Sequence, residues 1–122
     1  MEVSEAVPEG ALYAFRGTLV EPIRSQYEDD PDMLELVQGF AADLPGRAQE
    51  IESRLDASAL EDVQRLAHQL KGAGGGYGFP QITEAAATLE QAIKEGSGEN
   101  VIKDRTRVLC DTLRAVTVSG VP

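Results

Sequence analysis

Residues 58–79 read SALEDVQRLAHQLKGAGGGYGF, and this stretch decides how the rest of the chain can fold. Its first half places apolar side chains at steps of three and four, the spacing of one buried helix face. Those residues are Leu60, Val63, Leu66, Ala67 and Leu70. Ser58 and Glu61 fit a capping box, which predicts that a helix begins at Ser58. We therefore expect an amphipathic helix over 58–76 that must bury one face against other elements.

Three further amphipathic segments lie on either side of this helix in the sequence. Their apolar stripes predict helices over about 31–56, 80–95 and 99–116. Asp30-Pro31-Asp32 is a favourable start for the first of them, and Pro45 should bend it by removing one hydrogen bond. No segment alternates polar and apolar residues as a strand does. Four helices with short connections predict an all-α fold, an antiparallel up-and-down four-helix bundle.

The chain before the bundle is predicted as an N-terminal lead-in over 1–29, followed by one domain over 30–118. Residues 1–10 are expected to form a loose tail. Apolar residues in 11–28 recur at roughly helical spacing but are interrupted by glycine and proline, so either a short helix or an extended segment fits. The N-terminal methionine and the lead-in favour a free-standing protein over an excised domain.

Composition excludes several classes of function. The 122 residues include 11 basic and 21 acidic side chains, a net charge of −10, which argues against binding nucleic acid or anionic membranes. No apolar run is long enough to span a bilayer. One cysteine cannot form an internal disulfide, and one histidine cannot supply a multi-histidine metal site. We expect a cytoplasmic, monomeric domain without a metal or cofactor of its own.

The single histidine, His68, is the informative residue. On a helical wheel it lies ~150° from the centre of the apolar face, so its side chain should face solvent. The residues that share its face one or two turns away include Gln64, Arg65, Lys71, Gly72 and Gly75. Each glycine costs roughly 1 kcal/mol relative to alanine if it is helical. The glycines either end the helix in a flexible turn or clear side chains so that another protein can approach the imidazole.

Residues 68–79, HQLKGAGGGYGF, resemble the H-x-[IL]-K-G-x-x-G-x-x-G signature of histidine-containing phosphotransfer (HPt) domains. The segment is also similar to the phosphate-accepting domain of chemotaxis histidine kinases. The resemblance extends over about residues 30–116. It implies a four-helix bundle whose exposed histidine is phosphorylated.

The resemblance also implies a role for each matched residue. His68 would be the phosphoacceptor, Lys71 the nearby cation, and Gly72 and Gly75 the residues that leave room for a partner. A residue on the next helix commonly hydrogen-bonds the other imidazole nitrogen in this family, and that position is Glu90. The wheel of the third helix independently places Glu90 at the edge of its apolar stripe, ~70° from the centre. Gln64 and Arg65, on the histidine's face, are expected to support the site.

Such a domain is a phosphorelay carrier in two-component signal transduction. His68 would accept a phosphoryl group from a receiver-domain aspartate or from a histidine kinase, such as a hybrid kinase, and pass it to another receiver. A partner receiver would supply Mg²⁺. An ATP-dependent kinase is excluded, because a bundle of this length leaves no room for a nucleotide-binding domain and the glycine run lacks G-K-[ST]. The alternative is a helical adaptor that binds receiver or kinase domains without transfer.

Overall fold

The computed structural model describes residues 13–15, 18–20 and 22–118 of the chain. Four helices form its main body: α1 Pro31–Asp56, α2 Leu60–Gly76, α3 Pro80–Lys94 and α4 Glu99–Arg114. Connections of three or four residues reverse the chain direction between successive helices. Both α1 and α3 pack against α2 and α4, which closes the four helices into a bundle. The predicted all-α four-helix bundle is confirmed.

The core is built from the predicted apolar stripes. Each helix contributes residues at helical spacing, and the largest side chains with almost no exposure include Leu44, Ile51, Leu70, Ile82, Leu89, Leu109 and Leu113. Phe79, in the connection between α2 and α3, is also fully buried. It lies beside the ring of Phe40, which stacks on Tyr77 with 4.5 Å between ring centroids. The aromatic pair in this connection therefore closes one end of the bundle.

Both ends of α1 are fixed by local hydrogen bonds, and one of them corrects a prediction. At the start, Asp30 Oδ1 accepts a hydrogen bond of 2.9 Å from the backbone N–H of Asp32. At the end, Ser58 has φ +59°, and the N–H groups of Ser58 and Ala59 bond the carbonyls of Leu55 and Arg54. This pairing is a Schellman motif.

The capping box predicted at Ser58 is therefore wrong. Ser58 serves the end of α1 rather than the start of α2, and α2 begins two residues later at Leu60. The residue before it, Ala59, makes no side-chain capping bond. At the C-terminal end of the bundle, α4 stops at Arg114 instead of the predicted residue 116.

The end of α4 is displaced because the chain there pairs with the lead-in. Ile23 N–H donates to the carbonyl of Ala115 at 2.9 Å, and Thr117 N–H donates to the carbonyl of Ile23 at 2.9 Å. Ile23 and Val116 thus form an isolated parallel bridge. The segment before α1 and the segment after α4 are joined along this bridge.

The described part of the lead-in contains no helix. Two strands, β1 Tyr13–Phe15 and β2 Thr18–Val20, pair antiparallel, with Tyr13 opposite Val20. A short helix, one of the two forms predicted for 11–28, is therefore wrong for the described residues. Aromatic and β-branched residues dominate these two segments and favour a strand over a helix. The loose tail predicted over 1–10 lies outside the described residues.

Candidate functional site

His68 lies near the middle of α2 with its side chain 64% exposed. Its neighbours Ala67 and Leu70 are buried, so the register that places them in the core turns the histidine outward. The exposure predicted from the helical wheel agrees with this position. The imidazole is therefore open to a second molecule while its backbone is held in the bundle.

Glu90, on α3, orients the imidazole. Its side chain is only 5% exposed, and its Oε2 lies 2.9 Å from Nδ1 of His68. The Nδ1–H group donates to this carboxylate, which leaves the lone pair on Nε2. Within the described part of the chain, nothing hydrogen-bonds Nε2. The site thus presents one ring nitrogen to solvent and fixes the other.

Two lysines hold the other contacts of Glu90. Lys71 Nζ, from α2, lies 2.7 Å from Oε1, and Lys94 Nζ, from the next turn of α3, lies 3.3 Å from Oε2. The hydrogen bond from Lys71 lowers the pKa of Glu90 most, burial opposes it, and the contacts with His68 and Lys94 lower it further. The resulting pKa is about 2, well below the ordinary value of 4.5. Glu90 is therefore an anion at physiological pH.

The glycines of α2 divide into two groups. A Cβ at Gly72 would meet no atom within 4 Å, and one at Gly75 would meet only Thr83 Oγ1 at 3.5 Å. Both glycines are exposed, so they leave an uncovered stretch of helix on the C-terminal side of His68. Gly74 is different, because a Cβ there would come within 2.9 Å of Thr83 Oγ1 and 3.0 Å of Ile82. Gly74 is thus the residue that lets α3 approach α2 closely.

Thr83 adds a second link between these helices. Its hydroxyl donates a hydrogen bond of 2.8 Å to the backbone carbonyl of Lys71. The bond joins the first turn of α3 to the turn of α2 that follows His68. Close packing at Gly74 and this bond together hold the two helices in the arrangement that brings Glu90 to the imidazole.

The connection between α2 and α3 is fixed by the lead-in. Ser25 Oγ donates a hydrogen bond of 2.6 Å to the carbonyl of Tyr77, and Gln26 N–H donates to the carbonyl of Gly78 at 2.8 Å. Gly78 has φ +85°, and a Cβ there would lie 2.6 Å from Ser25 Oγ. A glycine is required at this turn for both reasons. The last glycine of the motif, Gly78, therefore has a structural role in this turn.

The two remaining predicted residues make no polar contact with His68 or Glu90 in the described part of the chain. Arg65 is exposed and pairs with Asp62 at 2.9 Å, and Gln64 is half-buried. Both stay on the histidine's face by helical spacing, one turn before it. Their supporting role stays a prediction.

Sequence reasoning missed three residues of this site: Lys94, Gly74 and Thr83. Lys94 had a detectable signal, because a lysine four residues after a glutamate on one helix commonly pairs with it. Gly74 and Thr83 had none, because their contact depends on how closely two helices cross.

Other kinds of site are not found in the described residues. No group of three or more histidine, cysteine, aspartate or glutamate side chains there could hold a metal ion. Cys110, the one cysteine, is fully buried and points its Sγ at the carbonyl of Ala48, 3.6 Å away. No helix among the residues described has the length and apolar character needed to cross a membrane.

The described residues thus form a four-helix bundle with one exposed imidazole, whose Nδ1 is held by a buried carboxylate. The comparison with protein families identifies the group: residues 35–116 match the Hpt domain. The chain belongs to the Hpt domain family. Comparisons with curated proteins and with solved structures give no match.

Membership of this family fixes the general activity. Hpt domains take part in phosphorelays of two-component signalling and interact with receiver domains and histidine kinases. They carry phosphoryl groups and have no autokinase activity.

Proposed function

We propose that His68 is the phosphoacceptor of a phosphorelay carrier. The observation that supports this most is the pairing of a 64% exposed imidazole with a buried carboxylate at 2.9 Å on its Nδ1 side. The carboxylate fixes the tautomer whose Nε2 has a free lone pair, which is the nucleophile that phosphoryl transfer needs. Gly72 and Gly75 leave the adjacent helix surface open for a partner.

The transfer step follows from this arrangement. The Nε2 lone pair of His68 attacks the phosphorus of an aspartyl phosphate on a donor receiver. A bond forms between Nε2 and phosphorus, the acyl phosphate P–O bond breaks, and the aspartate carboxylate leaves with its electron pair. The Nδ1 proton stays in its bond to Glu90, and the anionic Glu90 balances the positive charge that the ring acquires. Transfer to a second receiver is the reverse reaction.

The remaining parts of the reaction come from the partner. Phosphoryl transfer depends on positioning and on neutralising charge, and Mg²⁺ usually bridges the oxygens involved. We assign that Mg²⁺ to the receiver domain, whose site the carrier completes. The carrier itself is proposed to act as a monomer. A histidine kinase, such as a hybrid kinase, is the other candidate donor. A cytoplasmic location also belongs to this proposal.

The distribution of charge fits such a partner. Of the 21 acidic residues, 13 lie within residues 1–57, where there are 4 basic ones. Around His68 the balance is different, because Lys71 and Lys94 outnumber the single carboxylate they share. A receiver's phosphorylation pocket is acidic and binds Mg²⁺, so a patch of mixed charge that includes two lysines, on an otherwise acidic protein, suits it.

The experiment that tests this proposal follows labelled phosphate from phosphorylated receivers of the source organism to the purified protein. We expect the wild type to take up label that is stable in base and labile in acid, as phosphohistidine is. His68→Gln should take up none while retaining the helical circular dichroism of the wild type.

A second function is separated by the same experiment. A helical adaptor would bind receivers, and His68→Gln would bind them equally well, but neither protein would become labelled. If the wild type binds the receivers and kinases tested but takes up label from none of them, the protein is an adaptor and not a carrier.

A further inference from the structure

Lys94 is a cation of the site that the transfer step above does not use. Its Nζ lies 3.3 Å from Glu90 Oε2, the same oxygen that accepts the Nδ1–H of His68 at 2.9 Å. Both distances end on the same oxygen, so Lys94 Nζ is at most about 6.2 Å from Nδ1 of His68. Nε2 is separated from Nδ1 by one ring carbon, so a phosphoryl group on Nε2 would lie a few ångströms beyond this bound, within the reach of a lysine side chain that leaves Glu90.

The two lysines are held unequally. Lys71 has Oε1 to itself at 2.7 Å and is 36% exposed, whereas Lys94 shares Oε2, makes the longer contact and is 49% exposed. A partly solvated ion pair at this distance contributes little stability and exchanges partners easily. Of the two cations, Lys94 is the one that can leave Glu90 at low cost.

Phosphorylation of His68 changes the charges that these groups meet. The ring becomes positive while its Nδ1–H remains on Glu90 Oε2, so that oxygen gains a full cation as its partner. At the same time a phosphoryl group with up to two negative charges appears on the exposed side of the ring. The positive ring then balances the charge of Glu90 in place of Lys94, and the phosphoryl group is a more highly charged anion close to the Lys94 ammonium.

We propose that Lys94 is a displaceable positioning residue: when His68 is phosphorylated, the Lys94 ammonium moves from Glu90 Oε2 to the phosphoryl oxygens, while Lys71 stays on Oε1. This inference rests on the proposed function. No covalent bond to Lys94 forms or breaks, and its ammonium group stays protonated. Its effect is to stabilise the phosphorylated carrier relative to the free one.

The test uses three variants of the full chain. Lys94→Met removes the cation, Lys94→Arg keeps it, and Lys103→Met is the matched control. Lys103 is 59% exposed and pairs with Glu99 four residues away at 3.0 Å, so its loss changes the charge equally but on α4. All proteins are phosphorylated with phosphoramidate as well as with a receiver, because the small donor needs no docking surface.

The decisive readout is the second ionisation of the phosphoryl group, followed by ³¹P NMR. A cation beside the group favours the dianion, so the pKa of the phosphoryl group should be higher in Lys94→Met than in wild type, Lys94→Arg and Lys103→Met. The charged groups nearest the imidazole are, on its own helix, Glu61, Arg65 and Lys71, and, on α3, Glu90 and Lys94. A lysine that only stabilised the fold would leave this pKa unchanged.

The equilibrium between receiver and carrier gives a second readout. Lys94→Met should lower the equilibrium ratio of phosphorylated to unphosphorylated His68 roughly two- to fivefold, the range of one partly exposed ion pair. If Lys94→Met matches Lys103→Met in both readouts, the inference is overturned. If wild type is labelled by phosphoramidate but by no receiver or kinase, the proposed function fails and the ³¹P comparison still decides the role of Lys94. If no donor labels the wild type, both the proposed function and the role of Lys94 are overturned.

Discussion

Glu90 joins two helices and three charged or polar side chains through one buried carboxylate. Lys71 bonds one oxygen, and His68 and Lys94 share the other. Because these contacts hold the pKa of Glu90 at about 2, the residue stays an acceptor for the Nδ1–H of His68 throughout the physiological range. The fold therefore sets the direction of the free Nε2 lone pair. Because Glu90 stays ionised, its protonation does not change that direction in the physiological range.

The lowered pKa of Glu90 makes a prediction about stability. Its folded-state pKa of about 2 lies below the ordinary 4.5, so its contribution is fully present above pH 4.5 and is lost as the pH falls towards 2. Glu90→Gln should lower the free energy of unfolding by roughly 1.5–3 kcal/mol at pH 7, the cost of removing a charged hydrogen-bond partner. The difference should shrink as the pH falls below 4.5. Urea unfolding at a series of pH values measures it.

Glu84→Gln serves as the control for this comparison, because Glu84 is exposed on the same helix. Its unfolding free energy should follow that of the wild type at every pH. A gap between wild type and Glu90→Gln that is constant from pH 7 to pH 2.5 would contradict the role assigned to the Glu90 charge.

Single residues of the site were predictable to different degrees. The helical wheel placed His68 in solvent, and the motif and the edge position together indicated Glu90. Lys94 was missed because a wheel gives the angle of a residue on its own helix and not the partner that it meets across a groove. The burial of Glu90 was missed for the same reason, since an acid at the edge of a stripe is more often solvated.

At the scale of elements, the crossing of α2 and α3 determines whether the site exists. Gly74 allows close approach at Ile82 and Thr83, and the Thr83 hydroxyl bonds the Lys71 carbonyl. The glycine run therefore has a packing function as well as the clearance predicted at Gly72 and Gly75. Sequence alone could not separate these functions, because every glycine in the run has the same propensity.

Gly74→Ala tests the crossing. The added methyl would lie 2.9–3.0 Å from Thr83 and Ile82, so these side chains must shift to admit it. We expect a loss of roughly 1–3 kcal/mol in unfolding free energy, the usual cost of overpacking. Denaturant unfolding at pH 7 provides the measurement.

Gly76→Ala is the matched change, since a Cβ there would meet nothing within 4 Å. It should leave stability unchanged or raise it by up to about 1 kcal/mol, because alanine is the better helix former. Equal stabilities for the two variants would show that α2 and α3 do not depend on a glycine at their crossing.

Helix boundaries show a related limit of sequence reasoning. The stripes located all four helices, but Ser58 was assigned to the wrong one. Capping signals are read from a few letters, and a serine between two helices can end the first or begin the second. Ser58 has φ +59°, the conformation of a residue that ends a helix, so it belongs to the end of α1. This backbone conformation is visible only in the three-dimensional structure.

For the whole molecule, the lead-in is part of the structure that supports the site. Ile23 joins the chain beyond α4, and Ser25 bonds the connection between α2 and α3. These contacts link three distant parts of the sequence. They were not predicted, because backbone pairing between remote segments leaves no periodic signal in either of them.

The open surface beside His68 makes a prediction about docking. Gly72→Leu places a side chain where a Cβ meets nothing, so the fold should persist. Transfer from a phosphorylated receiver should slow by roughly ten- to hundredfold, because a small displacement of reacting groups is that costly. Labelling by phosphoramidate should change little. Rates of transfer measured with both donors test this.

Gly46→Leu is the corresponding control on α1, where a Cβ also meets nothing within 4 Å. It should transfer at the wild-type rate with either donor. If Gly72→Leu is as fast as Gly46→Leu with the receiver, the partner does not approach over Gly72.

The central claim is that His68 carries a phosphoryl group between partners. The most direct measurement starts from the isolated phosphorylated protein and follows label to unphosphorylated receivers of the source organism in the presence of Mg²⁺. The account predicts that at least one receiver removes the label from His68 within the time of the assay, and that chelating Mg²⁺ stops the transfer. Label that remains on His68 with every receiver, although these bind, would contradict a carrier.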